Sequence, residues 1–423
     1  MRPVNLAQRP SVPPPSDARI GLPLVVLRSA DMPHPALARS ALQQIPASRI
    51  REVANAAMGA SDVLAFWFGE PDVPTPACIV QAAHAALEAR DLFYLPNLGL
   101  PALREALASY VGELHPAAGC HPDRIAVTSS GVSALMLAAQ ALISPGDRVV
   151  AVEPLWPNLT AIAAVLGAQV HTVALEVDGR TGRWHLDVDR LLAALTPETR
   201  MLMINSPGNP TGWVMPAQAQ RAVMAHCRQH GIWVLADEAY ERLVFDGSRC
   251  APSFLDIADP EDRLVAANTF SKTWQMTGWR LGWLVAPTPL MPEIEKLIEF
   301  NTSCAPGFVQ RAGLAAVQGG DADTLRFVQS VQAGAQALMQ ALGDVPRVRA
   351  VQPDGAMYVL LAVDGERDSL ALAKTLVREA RLGLAPGVAF GASCEGYLRW
   401  CIARPPAVLH DGVERLAGFL ARR

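Results

Sequence analysis

From about residue 123 onward the chain alternates two patterns, short unbroken apolar runs and longer stretches with apolar residues on one helical face. Residues 125–128, 148–152, 200–204, 232–236 and 264–267 belong to the first kind. They predict strands covered on both sides, since a half-exposed strand would alternate apolar with polar. Residues 133–143, 158–166 and 216–230 belong to the second kind and predict helices between them. Turn residues mark the joints, among them Ser144-Pro145-Gly146-Asp147 before one strand and His230-Gly231 at a helix end.

Buried strands in alternation with helices predict an α/β fold with a mainly parallel sheet, because parallel neighbours must be joined by a crossover. In such sheets ligands bind beyond the carboxyl ends of the strands. Further on, helices are expected at 289–300, 308–318 and 322–342, then a strand at 356–361 and a closing helix at 369–380. These suggest a second, smaller α+β domain. The expected division is a flexible proline-rich leader at 1–35, an N-terminal segment at 36–65 packing with the small domain, a large domain at 66–305 and the small domain at 306–423. No fixed-period repeat interrupts this plan.

Composition narrows the class without changing the plan. The 423 residues are 51% hydrophobic with a formal net charge of −4, so the chain can bury a large core and offers no basic field for nucleic acid. No run approaches the roughly 18 apolar residues of a membrane span. Residues 125–143 come nearest and are broken by Thr128, Ser129, Ser130, Gly131, Ser133 and Gln140. Seven cysteines without a C-x-x-C spacing suggest reduced thiols and a cytoplasmic protein. The leader lacks the charged and apolar regions of a signal peptide, although Arg2, Arg9 and Arg19 leave an organellar transit peptide as an alternative.

The strand-end rule then directs attention to particular side chains. The strand at 232–236 runs into Asp237-Glu238-Ala239-Tyr240, which sets a carboxylate at its end and a phenol three residues on. A carboxylate there suits a protonated heterocyclic nitrogen, although Asp237 alone reads equally as a helix cap. Lys272 follows another strand on a turn-like segment, and Arg280 stands eight residues later among aromatic and small residues, as a phosphate clamp would. Ser129-Ser130-Gly131-Val132-Ser133 opens a helix whose free N–H groups suit an anion, though such turns also serve capping alone. Trp156 and Asn209 follow two further strands and by themselves fit core packing and a plain turn. His226 and His230 share a helix face but lack a third metal ligand.

Together and in order, these segments resemble the class I/II aminotransferases of the fold-type-I pyridoxal-phosphate (PLP) enzymes. The resemblance runs from about residue 46 to 404. It rests on Gly69-Glu70-Pro71-Asp72 with Thr75-Pro76, Tyr94 with Gly99 and Arg104, Ser130-Gly131, Trp156-Pro157, Asn209-Pro210-Thr211-Gly212, Asp237 to Tyr240, Ser271-Lys272 with Gly278-Trp279-Arg280, Gly355-Ala356-Met357-Tyr358, Pro386-Gly387 and Tyr397-Leu398-Arg399.

The resemblance implies a PLP-binding large domain and transfer of an amino group from an L-amino acid to a 2-oxo acid through aldimine and quinonoid intermediates. It implies that Lys272 carries PLP as a Schiff base and shuttles the proton. Asp237 would pair with the pyridinium nitrogen, Tyr240 and Asn209 would bond the phenolic oxygen, and Trp156 would stack on the ring. The phosphate would fall to Arg280, Ser130, Gly131, the backbone of Val132 and Thr269. Arg399 would take the substrate carboxylate, assisted by the backbone of Gly69, with Trp156 and Asn209 also at the substrate. Relatives are homodimers with shared sites, in which the residue matching Tyr94 reaches the neighbour's phosphate.

Three departures accompany the resemblance, one of them Thr269 where a serine is common. Val132 stands where many relatives carry a lysine or serine, and 301–306 lacks the arginine that animal-type aspartate enzymes keep for a distal carboxylate. A PLP-dependent lyase or cyclising enzyme is the alternative within the same chemistry, and a non-catalytic PLP-binding module the alternative outside it.

Overall fold

The computed structural model describes residues 38–43 and 45–423. The proposed leader at 1–35 lies outside the described residues. Residues from Ala41 to Arg423 form one compact unit. After a short strand β1 (Leu64–Ala65) come β2 (Ile125–Thr128), β3 (Arg148–Glu153) and β4 (Gln169–Ala174). A small hairpin, β5 (Glu176–Asp178) and β6 (Arg183–His185), precedes β7 (Thr199–Asn205), β8 (Trp233–Asp237), β9 (Leu264–Thr269) and β10 (Gly282–Val285).

Seven of these strands form one sheet in the order β2-β10-β9-β8-β7-β3-β4. All neighbours are parallel except β10, which runs antiparallel to both β2 and β9. The fold is therefore α/β around a mainly parallel sheet. Apart from the edge strand β4, which is largely exposed, both faces are buried, which is why the strands read as continuous apolar runs. Val150, Leu202, Ile204, Val234 and Ala266 enter one core, and their neighbours Val149, Met201, Met203, Leu235 and Val265 enter the other.

The anticipated helices form with small shifts at their ends, at Gly131–Leu142, Pro157–Val165, Ala217–His230, Met291–Asn301, Gly307–Gly319 and Asp321–Gly343. Gly231 ends the third of these in the left-handed conformation at φ +66°. Strands β11 (Val348–Val351), β12 (Tyr358–Val363), β14 (Ala385–Pro386) and β15 (Tyr397–Cys401) make a four-stranded antiparallel sheet. Between them β13 (Leu382–Gly383) pairs with β1.

One expectation needs correction. The helix anticipated at 369–380 is an α-helix over Ser369–Thr375 that widens into a π-helical turn at Leu376–Ala380, and it does not close the chain. A further helix, Pro406–Leu420, follows β15 and buries Leu409, Val413, Leu416 and Leu420. The N-terminal helix Arg49–Ala56 is capped by Ser48, whose hydroxyl accepts from Arg51 N at 3.3 Å. Glu52 on that helix pairs with Lys374 at 2.5 Å, joining it to the helix Ser369–Thr375.

Candidate active site

Register explains how distant residues reach one place. Asn205 lies beside Asp237 at the carboxyl ends of β7 and β8, and Thr128 and Thr269 flank Gly282 at the same edge. Because β10 is antiparallel, its first residue, Gly282, rather than its last, meets that edge. A side chain there would not fit, since a Cβ on Gly282 would come within 2.4 Å of Gly131 N.

A cavity of about 260 Å³ opens at these strand ends. Of the residues singled out by sequence, Gly69, Gly131, Val132, Trp156, Asn209, Asp237, Tyr240, Thr269, Lys272, Arg280 and Arg399 line it. Ser130 stands just behind the wall as N-cap of the helix Gly131–Leu142, its Oγ accepting from Ser133 N at 3.0 Å. Tyr94 is not brought to the cavity of its own chain. It is 89% exposed beside an exposed Phe93.

Lys272 sits on a single helical turn, Phe270–Thr273, capped by Thr269, whose Oγ1 accepts from Ser271 N at 3.2 Å. The following loop is braced from outside. Thr75 donates to Gln275 O at 2.8 Å and accepts from Trp279 Nε1 at 2.9 Å. The Lys272 amine donates to Gly69 O at 2.5 Å. Burial lowers its pKa to about 8, and the neighbouring Arg399 and Arg280 act in the same direction.

Asp237 is 5% exposed, and burial pushes its carboxyl up to about 7 against the opposing pull of the Ala239 N–H and Lys272. Its Oδ1 accepts from Ala239 N at 3.2 Å, while its carbonyl accepts from Asn205 Nδ2 at 3.1 Å. Asn205 Oδ1 in turn accepts from Asn209 N at 2.7 Å. One buried amide thus fixes both the carboxylate strand and the asparagine turn.

Arg399 is 2% exposed and lies between the rings of Tyr358 and Phe390, its Cζ 4.4 and 4.8 Å from their centroids. Nη1 donates to Asn209 Oδ1 at 2.8 Å and Nη2 to Trp67 O. Nε is buried without a partner. A buried guanidinium N–H without an acceptor is costly, and an anion in the cavity would supply one.

Sequence reasoning had not placed Tyr358, Trp67, Phe68, Ile50, Leu135, Asn205, Ala239 or Ser271 in the site, yet all line the cavity. Tyr358 and Ser271 stood within quoted motifs and were legible there. Gly69 differs in detail from expectation: its carbonyl faces Lys272, and the carbonyl of Trp67 serves Arg399. Gly69 must be glycine, since a Cβ would fall 1.8 Å from Tyr358 Oη. His226 lies apart from the cavity, its Nε2 2.7 Å from Leu195 O.

The chain is similar to known proteins over most of its length. A family model described as aminotransferase class I and II matches residues 61–416. The chain is 30% identical over 377 residues to an aspartate aminotransferase of Pyrococcus horikoshii, covering 88% of this chain and 94% of that protein. It is 31% identical over 360 residues to an arginine–pyruvate transaminase of Pseudomonas aeruginosa, covering 84% and 89%. The solved structure of an aspartate aminotransferase from Thermotoga maritima superposes with a TM-score of 0.83 at 29% identity, covering 91% of this chain and all (100%) of that one.

Proposed function

The chain belongs to the class I and II aminotransferases, and we propose from that premise that Lys272 carries the cofactor and moves the proton during turnover. It is a pyridoxal-phosphate-dependent transaminase, exchanging an amino group between an amino acid and a 2-oxo acid. The observation that carries the assignment of Lys272 is a buried amine of lowered basicity in one cavity with Asp237 and Arg399.

The donor set of the cavity fits the cofactor. The N-terminus of the helix Gly131–Leu142, the hydroxyls of Thr269 and Ser271 and the guanidinium of Arg280 offer N–H and O–H donors with positive charge, as a phosphate requires. Ser130 joins them, since its oxygen accepts from Ser133 N and its O–H remains to donate. Asp237 would hold the ring nitrogen, whose positive charge favours the ionised carboxylate. Tyr240 would bond the phenolic oxygen, as would Asn209 through Nδ2, because its Oδ1 is taken by Arg399. Trp156 would cover the ring face.

When bound, PLP supplies an electron-withdrawing ring that acidifies the Cα–H of the substrate. The chain's own residues do the rest. Arg399, held in orientation by Asn209 and the Trp67 carbonyl, binds the substrate carboxylate and so fixes the Cα–H bond. Lys272 Nζ is placed to take the proton from Cα of the amino donor, which it would deliver to carbon C4′ of the cofactor, and to make the reverse transfer when a 2-oxo acid is aminated, a task suited to an amine whose pKa lies near 8. Burial of the aromatic walls keeps water from competing for it.

Three further points belong to this proposal. The chain divides into a larger lobe at 66–305 and a smaller one at 306–423, with 36–65 joined to the latter; the pairing of β1 with β13 and of Glu52 with Lys374 supports this. The active unit is a homodimer in which Tyr94 reaches the neighbouring site, supported by the exposed, aromatic Phe93-Tyr94 loop. The compartment is the cytoplasm, supported by seven unpaired cysteines.

Borohydride treatment of the holoenzyme followed by peptide mapping tests the central assignment. The reduced cofactor is expected on the peptide containing Lys272. Its recovery on another lysine overturns the assignment.

A further inference from the structure

Lys272 stands on a helical turn of four residues, Phe270–Thr273. A single turn does not hold itself in place, because its few hydrogen bonds do not offset the ordering of its backbone. Its last carbonyls need donors from outside. What grips those carbonyls therefore decides where the Lys272 amine sits.

The grip falls on Thr273 O, one residue beyond Lys272. It accepts from Gln275 Nε2 at 2.9 Å and from Thr324 Oγ1 at 3.1 Å. Gln275 is 6% exposed and its backbone is left-handed at φ +51°, a conformation that costs a non-glycine residue free energy and persists only where its surroundings impose it. Thr324 comes from the first turn of the helix Asp321–Gly343 and is wholly buried. Its hydroxyl also lies 3.0 Å from Gly320 O, the ordinary back-bond of a helical threonine. That carbonyl already accepts from Thr324 N at 3.0 Å, so the hydroxyl is not required there.

The helix that brings Thr324 is itself anchored at its start. Asp321 Oδ1 accepts from Arg242 Nη2 at 2.7 Å, and Arg242 is 3% exposed on the segment that follows Tyr240. Gly320 lies against Trp274, where a Cβ would come within 2.6 Å of Cδ1. One helix start thus touches both the segment carrying Lys272 and the segment carrying Tyr240. Thr273, Gln275, Thr324 and Arg242 are all buried within a single chain, so the clamp needs nothing from a neighbouring copy.

We propose that Thr324 and Gln275 are positioning residues for Lys272: together they hold the Thr273 carbonyl and so fix the turn from which the amine reaches the cofactor and the substrate Cα. The proposal rests on Lys272 being the cofactor lysine. Neither positioning residue lines the cavity, so each acts through the lysine turn and not on the substrate. Misplacement of a reacting group by about 1 Å costs about 100-fold in rate, and a turn loosened by less than that should cost about tenfold.

The test uses holoenzyme carrying Thr324→Val, Thr324→Ser or Gln275→Met, beside the parent and Lys272→Ala. Valine keeps the shape of threonine without the donor, serine keeps the donor without the methyl, and methionine keeps the length of glutamine without the amide. The readings are kcat and KM separately, the thermal midpoint, and the pH midpoint of the absorbance of the lysine-bound cofactor, which changes as the imine nitrogen takes up its proton. Thr324→Val and Gln275→Met should each lower kcat about tenfold with KM within about twofold of the parent. Each should also move the absorbance midpoint by at least about 0.3 pH unit, a twofold change in the ionisation constant. Thr324→Ser should stay within about twofold of the parent in kcat and within about 0.3 pH unit in the midpoint.

A thermal midpoint that falls while kcat and the absorbance midpoint keep their parent values means a purely structural role and overturns the proposal. A loss in Thr324→Ser as large as that in Thr324→Val overturns it too, since the methyl and not the hydroxyl would then matter. Should Thr324→Val fail to fold, Gln275→Met decides by the same two readings. If Lys272→Ala protein supplied with cofactor kept the pH-dependent absorbance, the assignment of Lys272 itself would fall and the proposal with it.

Discussion

Tyr240 and Tyr358 meet hydroxyl to hydroxyl, Oη to Oη 2.6 Å, with their rings edge to face at 78°. One follows β8 and the other opens β12, so the contact ties the main sheet to the four-stranded sheet at the cavity wall. Burial holds both phenols above their usual range, and at neutral pH one donates to the other. Tyr358 also occupies the space opposite Gly69 and lies under Arg399.

Tyr358→Phe removes this partner while leaving the ring under Arg399. A lost hydrogen bond to a buried hydroxyl costs about 1–2 kcal/mol, so kcat/KM should fall about tenfold. Tyr240→Phe should cost more, because Tyr240 is the one assigned to the cofactor oxygen. Steady-state kinetics of the two variants decide the order. Equal losses would mean the phenols act only as a pair.

Asp237 supplies a pH prediction for protein stripped of cofactor. Its carboxyl rises from 3.8 to about 7 on folding, so between these values the folded chain keeps a proton that the unfolded chain has released. Stability therefore falls as pH rises through this window, and the contribution is lost above about 7. Glu238, also raised to about 7 by burial, adds a loss of the same sign, so the test must compare variants. Asp237→Asn should be more stable than the parent at pH 8 by on the order of 2–4 kcal/mol in urea unfolding, and should lose that advantage near pH 4. An advantage independent of pH would show that Asp237 does not titrate as described. With cofactor bound, the same variant should turn over far more slowly.

The strand ends carrying these groups were legible because each buried strand is a short apolar run that stops at a polar residue. Asp237 stands at such a stop, Asn209 lies four residues beyond the end of β7 at Asn205, and Lys272 follows Thr269 one turn later. Backbone acceptors were not legible: the carbonyls of Gly69 and Trp67, which hold Lys272 and Arg399, leave no trace in residue type. Nor was the reversal of β10, since the run Gly282–Val285 is as apolar as its parallel neighbours and direction is set by the connections. The final helix could have been read, as Leu409, Val413, Leu416 and Leu420 recur at helical spacing. Ile50 could not, because its place in the cavity depends on contacts with residues hundreds of positions away.

Arg399→Lys tests the carboxylate assignment separately from the chemistry. A lysine keeps the charge but has no planar fork to satisfy Asn209 Oδ1, the Trp67 carbonyl and a substrate carboxylate together. KM for the amino acid should rise so that kcat/KM falls about 100-fold, with kcat reduced much less. The cofactor absorbance should be retained, since none of the phosphate contacts is touched. A fall confined to kcat would place Arg399 in the proton transfer instead.

Tyr94 poses the question of whether one chain completes another. It is 89% exposed and absent from the cavity wall of its own chain, so any part it plays at a phosphate requires a neighbour. Lys272→Ala and Tyr94→Ala chains can be purified separately and mixed under conditions shown to exchange subunits. In the heterodimer one site then carries both lesions and the other carries neither. If Tyr94 crosses the interface, activity should rise above both parents toward about one quarter of the unmodified enzyme, since random exchange makes half of the dimers mixed and each has one intact site. If subunits exchange and activity stays at the average of the parents, Tyr94 acts only within its own chain and the shared-site proposal is wrong.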